Sequence, residues 1–204
     1  PAVAPDVERG RRLYGGICAS CHGASGRGDG PAGSGMSPPP AGFHESRMDL
    51  VSPHQIYGAI RFGIDGTAMP SYEGKLAPER IWDLAFFLLT LRSGFAPQRP
   101  ERELPLSLTD LAQRSNEDLL ALIRDSGVAV VPGNIDHYRR APESVAGSGR
   151  PPVRVAESAE PAPRSDGPPP APSPTDDRRV ALQLQDAFAG VAQEVAPSVV
   201  GVTG

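Results

Sequence analysis

Cysteine, tryptophan and lysine are scarce in this chain. Its 204 residues include two cysteines, one tryptophan and a single lysine, Lys75. With two cysteines, the chain lacks the second ligand pair of the same kind that a four-cysteine zinc site requires. It also lacks any run of 18 apolar residues, so we expect no transmembrane helix within it.

A large excess of either acidic or basic residues is missing as well. The 20 basic and 24 acidic side chains give a net charge of −4, and neither half of the chain carries the basic excess that a nucleic-acid binder needs. Proline and glycine are abundant, at 24 and 23 residues, whereas aromatic residues make up 5%. This composition excludes one compact core that spans the whole chain.

The most informative segment is Cys18-x-x-Cys21-His22. Two thiols three positions apart on a helical turn can form thioethers with the two vinyl groups of one porphyrin, and the next histidine then lies under the iron. The motif therefore predicts one covalent haem c, attached through Cys18 and Cys21, with His22 as the proximal ligand. It is the sole such motif in the chain.

Three other interpretations of this region are weaker. A thioredoxin-like redox pair is expected in a βαβ context, whereas the surrounding pattern is helical. Half of a zinc site would need a second pair nearby, but His44 and His54 have the wrong spacing. A phosphate-binding loop at residues 23–31 would need a preceding strand and a closing Gly-Lys-Ser/Thr, which are both missing.

A haem iron bound by one histidine needs a sixth ligand or an open site, and a methionine thioether is a common partner. Met69 is the favoured candidate, because glycine before it and proline after it predict an irregular loop that turns the side chain inward. Met36 lies in a Gly/Pro-rich loop. Met48 lies between Arg47 and Asp49, which predicts a solvated position.

Residues 6–94 resemble a class I cytochrome c domain. Four features occur in the family's order: an N-terminal helix at 7–17, the Cys-x-x-Cys-His motif, the Met69 loop, and an apolar C-terminal helix at about 78–91. In the family the first and last helices cross at a small residue that faces an aromatic one. The residues that match the crossing positions are Gly10, Tyr14, Leu84, Phe87 and Leu88.

The resemblance implies an all-α fold around one covalent haem, at residues 5–95, and no catalytic residue. It also implies a proline carbonyl that accepts the Nδ1 proton of His22, for which Pro31 and residues 38–40 are candidates. A redox partner protein is expected to dock weakly at the haem edge. The aromatic residues expected to line the haem pocket or the core are Tyr57, Phe62, Tyr72 and Trp82.

Two segments follow the cytochrome-like region. Residues 106–140 predict a small helical patch, with Ser115 and Asp118 as a capping pair, Gly127 as a C-terminal cap, and a further turn at 136–141. This patch is too small for a core of its own. Residues 142–174 contain ten prolines, so 141–177 is predicted to be a disordered linker.

The last segment, 178–204, predicts an apolar-faced helix followed by a β-type run at 196–204. It resembles the opening of the trypsin-like domain of high-temperature-requirement serine proteases. That resemblance implies a protease domain whose catalytic residues lie beyond Gly204. The alternative is an amphipathic C-terminal helix with an apolar tail.

Three functions are therefore considered. The first is one-electron transfer by a His/Met-ligated haem, in a redox module tethered to a periplasmic protease. The second is a haem-based redox or ligand sensor that regulates that protease. The third is a haem enzyme with an open sixth position, which a firm Met69 ligand would preclude. Because covalent haem attachment requires export, we expect a signal peptide or anchor ahead of this sequence.

Overall fold

The computed structural model describes residues 1–92 and 96–145, and these residues are helical without a β-strand. This confirms the class I cytochrome c type of helical fold. The α-helices are α1 (Val7–Ile17), α2 (Ala19–His22), α3 (Pro53–Phe62), α4 (Pro78–Leu89), α5 (Leu108–Gln113), α6 (Asn116–Asp125) and α7 (Pro132–Arg140). Short 3₁₀ helices occupy Pro31–Gly33, Ser46–Leu50 and Pro142–Ser144.

The predicted proline-rich linker and the predicted protease-like segment at 178–204 lie outside the described residues, apart from the first positions of the linker. The divisions at 5–95 and 106–140 stay predictions. Within the described ranges, each helix falls short of the length and apolar character needed to cross a bilayer.

Helix α1 begins where local chemistry favours it. The Asp6 side chain accepts a hydrogen bond from the Arg9 amide at 2.8 Å, and Glu8 lies in the first turn. Such a cap satisfies an amide that would otherwise lack a partner, and the acidic residue complements the helix dipole. The bounds agree with the helix predicted at residues 7–17.

Helices α1 and α4 cross in direct contact, as the family resemblance implied. A Cβ atom added at Gly10 would collide with the Asp83 carbonyl and lie 2.9 Å from Phe87 Cβ. One turn later, the Tyr14 and Phe87 rings pack with centroids 5.4 Å apart. Only a residue without a side chain fits at Gly10, so this position sets how closely the two helices approach.

A polar contact reinforces the crossing. The buried carboxylate of Asp83 on α4 accepts hydrogen bonds from the Asp6 amide at 2.8 Å and from Arg9 Nη2 at 2.9 Å. Burial raises the pKa of Asp83, and the bonds from Arg9 and Asp6 oppose that rise. The start of α1 is thereby held against the first turns of α4.

The first hydrophobic cluster lies between α1, α3 and α4. Helix α3 begins at a capping box in which Ser52 and Gln55 exchange side-chain and backbone hydrogen bonds. Its buried face contributes to a cluster whose fully buried members are Tyr14, Met48, Ile56, Tyr57, Ile60, Ile81, Leu84, Ala85, Phe87, Leu88 and Leu89. This cluster supports the segment that carries the two cysteines.

The prediction of a solvated Met48 was wrong. Met48 is only 2% exposed and belongs to the first cluster. The Ser46–Leu50 turn is a 3₁₀ helix, in which neighbouring side chains point in directions about a third of a turn apart. Arg47 and Asp49 therefore reach polar partners while Met48 points inward and fills the core.

A second cluster covers the other side of α4. Phe86 is fully buried among residues of the C-terminal patch, together with Leu104, Leu106, Leu108, Leu111, Ala112, Leu119, Ile123, Ile135, Tyr138 and Val145. Ser115 and Asp118 form the predicted capping box of α6, and Gly127 follows that helix with a φ of 75°. Helix α7 is longer than the single turn predicted at 136–141.

Buried charges join the patch to the rest of the molecule. The Arg92 guanidinium pairs with Asp136 of α7 at 2.7 Å and with Asp49 of the Ser46–Leu50 turn. Arg139 is fully buried, and its Nε donates to Asn116 at 2.9 Å. These side chains are stable inside the protein because each finds a hydrogen-bonded partner there.

We predict that Gly10→Ala destabilises the protein whereas Gly15→Ala does not. The added methyl group at residue 10 forces α1 away from α4, which costs about 2 kcal/mol, the range typical of an overpacked core. At Gly15 a Cβ atom meets nothing within 4 Å, and the better helix propensity of alanine stabilises by up to about 1 kcal/mol. Chemical denaturation measures both changes, and equal effects of the two substitutions would contradict this account of the crossing.

Candidate functional site

The two cysteines lie on one short helical turn that directly follows α1. Helix α1 ends at Ile17, and α2 continues the chain after a break at Cys18. The Cys21 amide donates to the Cys18 carbonyl at 3.2 Å, and the His22 amide donates to the same oxygen at 3.0 Å. Both thiols are free and half-buried. Residues three positions apart on a helical turn lie on the same side of it, so one group can bind both thiols.

The imidazole of His22 is held in one orientation. Its Nδ1 lies 3.0 Å from the Ala41 carbonyl oxygen, and because a carbonyl can only accept, Nδ1 carries the proton. The Phe43 ring stacks on the imidazole with centroids 4.8 Å apart. The remaining nitrogen, Nε2, is the one available to coordinate a metal, as is usual when the other nitrogen bonds to a carbonyl.

The expectation of a proline carbonyl was wrong, since the acceptor is Ala41. This residue directly follows the proline run at 38–40. The Phe43 amide donates to the Gly26 carbonyl at 2.6 Å, which fixes the segment after the prolines against the loop that leaves the motif. As a result, the Ala41 carbonyl faces the His22 imidazole.

Burial lowers the pKa of His22, and the hydrogen bond to Ala41 opposes that change. The neutral imidazole that results is the form that binds metals. Burial also raises the pKa of the Cys18 thiol to about 12, with a further contribution from the neighbouring Cys21. The site is therefore a partly desolvated one, suited to an apolar group rather than to a hydrated ion.

The glycine-rich loop at residues 23–31 packs on the protein itself. Gly23, Gly26 and Gly28 all have φ between 72° and 79°, a conformation that glycine adopts readily, so the loop turns tightly after the motif. A Cβ atom at Gly26 would lie 2.8 Å from Leu91 and 3.2 Å from Phe43. Its inner side is filled by these side chains, so the loop is not a phosphate cradle.

Met69 lies in an irregular loop that is fixed at both ends. The Thr67 hydroxyl donates to the Ile64 carbonyl at 2.8 Å and accepts from the Met69 amide at 3.1 Å. Beyond the methionine, the Tyr72 amide donates back to Ile60 of α3 at 3.1 Å. A side chain at Gly63 would lie 2.8 Å from the Met69 carbonyl oxygen, so the end of α3 packs directly under the loop.

The structure brings Met69 and the cysteine turn to the same cluster. Cys18, Ala19, Met69 and Tyr72 are all partly buried against the first cluster. Tyr72 is close enough to Cys18 and Cys21 that their charges contribute to the raised pKa of its hydroxyl, after the larger effect of burial. Of the other methionines, Met36 is half-buried in the loop after Gly33 and Met48 is a core residue.

A comparison with protein families agrees with this arrangement. Residues 5–88 match the family model of the cbb3-type cytochrome c oxidase subunit III. These residues form a c-type cytochrome domain. The match ends within α4, so the C-terminal patch lies beyond it. No curated protein matches the chain significantly.

The side chains of the cytochrome domain fit a haem. Two thiols on one turn, an imidazole nitrogen and a thioether are the donors that covalent haem and its iron use. Among residues 1–92 and 96–145, no three His, Cys, Asp or Glu side chains cluster in a way that would hold a bare metal ion. The zinc interpretation therefore has no support in the described part of the chain.

The remaining aromatic residues of the cytochrome domain lie in different places. Trp82 stacks on Tyr57 at 4.5 Å and on His54 at 6.1 Å, and it contacts both hydrophobic clusters. Phe62 lies beneath the Arg61 guanidinium at 4.9 Å. A cavity of about 450 Å³ opens between α3 and residues 73–78, and it is lined by none of the four candidate ligands and attachment residues.

Sequence reasoning missed Ala41 and Phe43 as contacts of His22. A backbone carbonyl carries no signal in a sequence, because every residue has one. Phe43 offered a weak signal, as it is the one aromatic residue between Tyr14 and Tyr57. Its contact with His22 depends on the fold, which places residues 40–43 beside the motif.

We predict that Tyr14→Phe destabilises the cytochrome domain by about 1 kcal/mol, the usual contribution of one buried hydrogen bond. The buried Tyr14 hydroxyl donates to the Gly23 carbonyl at 2.6 Å and so ties α1 to the residue after the motif. The matched control is Tyr72→Phe, which removes the hydroxyl of a side chain that is only partly buried. Denaturant unfolding measures the free energy of unfolding of both variants. An equal loss in Tyr72→Phe would contradict a specific contribution of the hydrogen bond between Tyr14 and Gly23.

Proposed function

We propose that this chain is a one-electron carrier that holds a single covalent haem c. In this proposal Cys18 and Cys21 form the two thioethers, and His22 and Met69 are the axial ligands. A haem bound here supplies iron that cycles between its ferric and ferrous states. The chain's own residues attach it, fix its orientation and keep water from its inner face.

The observation that carries the proposal is the state of the Cys18–His22 turn. Two half-buried free thiols lie on one turn, and the next residue has its Nδ1 bonded to Ala41 at 3.0 Å. This bond holds the ring in one tautomer and makes Nε2 the stronger donor. The Phe43 ring, stacked at 4.8 Å, restricts rotation of the imidazole further.

The assignment of Met69 as the sixth ligand is supported by its loop. The hydrogen bonds around Thr67 and Tyr72 fix the backbone on both sides of the methionine, so its side chain needs little ordering to reach a ligand position. Met69 is partly buried against the cluster that also contacts Cys18. A thioether ligand favours ferrous iron and raises the potential, which suits an electron carrier.

Several parts of the proposal rest on the sequence. Covalent haem attachment implies export, so we place the protein in the periplasm or another exported location, with a redox protein as its partner. From the likeness of residues 178–204 to the opening of a trypsin-like domain, we also propose that the cytochrome domain is a redox module tethered to a protease.

The second candidate is a haem sensor, which the close packing of the C-terminal patch on α4 favours, because a change at the haem could reach the patch through Phe86.

We predict that the protein retains haem covalently after production with a cytochrome c maturation system in the periplasm. A haem-stained band on a denaturing gel is expected for the wild type, and a band is expected to be lost in Cys18→Ser/Cys21→Ser. Extraction with acidified acetone is expected to leave the haem on the wild-type protein. Haem that is extracted from it would contradict thioether attachment.

We predict that Met69→Leu abolishes the methionine–iron charge-transfer band and lowers the reduction potential. The change removes the sulfur but keeps the apolar volume, so the fold is preserved to within about 1.5 kcal/mol. Met36→Leu and Met48→Leu are the matched controls and are expected to keep both the band and the potential. A larger effect of Met36→Leu would move the sixth ligand to the other loop, and a wild type with high-spin spectra would favour the sensor.

A further inference from the structure

A cavity lies between the end of α3 and the start of α4, beside the chain that leaves the Met69 loop. Its volume is about 450 Å³, within the range of about 300 to 1,000 Å³ that small-molecule sites occupy. It is lined by residues 73–78 together with Tyr57, Arg61 and Ile81. The four residues proposed to hold the haem are not part of this lining, so the proposed function leaves the cavity without a role.

The wall of the cavity that leads into α4 is fixed to the end of α3. The Glu73 amide donates to the Arg61 carbonyl at 2.9 Å, and the Ser71 hydroxyl donates to the same oxygen at 2.8 Å. The Lys75 amide then donates to the Tyr72 carbonyl at 3.0 Å and closes a turn. The cavity is therefore formed by the fold itself, as is usual for sites that bind small molecules.

The inner side of the cavity is apolar. Ile81 and Tyr57 belong to the first hydrophobic cluster and are 1% and 8% exposed, and Leu76 packs against the same cluster. A hydrated ion would lose water against these side chains without gaining a partner. A ring or a short hydrocarbon chain, in contrast, would bury its own apolar surface there.

The outer side of the cavity has an excess of positive charge. Its lining contains two basic side chains, Arg61 and Lys75, and one acidic side chain, Glu73. Arg61 Nη2 pairs with Glu73 Oε1 at 2.9 Å, so these two charges compensate each other. Lys75 Nζ donates to the Ser71 carbonyl at 2.9 Å and lies 5.9 Å from the centre of the Tyr72 ring. Both of these partners are uncharged, so the charge of Lys75 is not neutralised by them.

The neighbouring charges on α4 do not cancel that excess. Glu79 and Arg80 follow the lining along the chain and carry one charge of each sign. Arg80 pairs with Asp83 at 3.8 Å, and the charge of Glu79 acts on Arg9 of α1, so both side chains serve the crossing of α1 and α4. The amino end of α4, whose dipole is positive, adds to the attraction for an anion at this wall.

We propose that this cavity binds a small organic anion, namely a monocarboxylate that carries an aromatic ring or a short apolar chain. Lys75 pairs with the carboxylate, and Tyr57 and Ile81 contact the apolar part. Phosphate and other strongly hydrated anions fit less well, because the apolar wall cannot replace their water. The site goes beyond the proposed function and does not depend on the haem.

The test is a titration of the reduced full-length protein with sodium benzoate, at an ionic strength held constant with sodium chloride. Saturable shifts of the amide resonances of Gly74 and Ile81 are expected at millimolar concentrations. Benzamide has the ring without the charge and is expected to bind about threefold more weakly or worse. Acetate has the charge without the ring and is expected to bind at least about tenfold more weakly, because it buries little apolar surface.

Substitutions of Lys75 test the charge from the side of the protein. Lys75→Gln is expected to weaken benzoate binding by about threefold or more, the effect of one exposed ion pair. Lys75→Arg keeps the charge and is expected to keep the affinity. The matched control is Arg124→Gln, which removes an exposed basic side chain from the last turn of α6 and is expected to change the affinity by less than about 1.5-fold.

Benzamide that binds as well as benzoate, an unchanged affinity in Lys75→Gln, or an equal loss in Arg124→Gln would each overturn the assignment of an anion site. Shifts centred on Ile17 and Gly23, with none at Gly74 and Ile81, would place the binding at the cysteine turn and overturn it as well. Reduction and reoxidation of the haem report on the proposed function separately, so the failure of one proposal is distinguishable from the failure of the other.

Discussion

The contact of α1 with α4 at Gly10 is the constraint on which the rest of the structure depends. Since a side chain at this residue would collide with the Asp83 carbonyl, the helices lie backbone to backbone. Tyr14 then packs on Phe87 and donates to the Gly23 carbonyl. The crossing thus fixes the end of α1, and with it the position of the turn that carries Cys18 and His22.

Helix α4 contributes residues to both hydrophobic clusters because both of its sides are buried. One side, with Leu84 and Leu88, belongs to the cluster that supports the cysteine turn, and Phe86 belongs to the cluster of the C-terminal patch. The buried pairs of Arg92 with Asp136 and Asp49 connect the same two parts. The patch is therefore packed on the cytochrome domain within the described residues, rather than hanging from it by a connector.

Much of this could be predicted from the sequence because the signals are local. The Cys18–His22 spacing, the bounds of α1 and the capping box at Ser115 each depend on residues a few positions apart. Other features could not be predicted. The burial of Met48 depends on which way a 3₁₀ turn faces the core, and neighbours such as Arg47 and Asp49 misled the interpretation by their polarity alone.

The sequence by itself determined the chemistry available: two thiols, an imidazole and a thioether in the order that a c-type cytochrome uses. This order is a property of the amino-acid sequence, so it can be recognised without knowledge of the fold. Only the tertiary structure decided that the Ala41 carbonyl, not a proline, holds the imidazole, and that α4 is shared between two clusters. The physical reason is that carbonyls and apolar faces are alike along a chain, and their partners are selected by which distant segments come into contact.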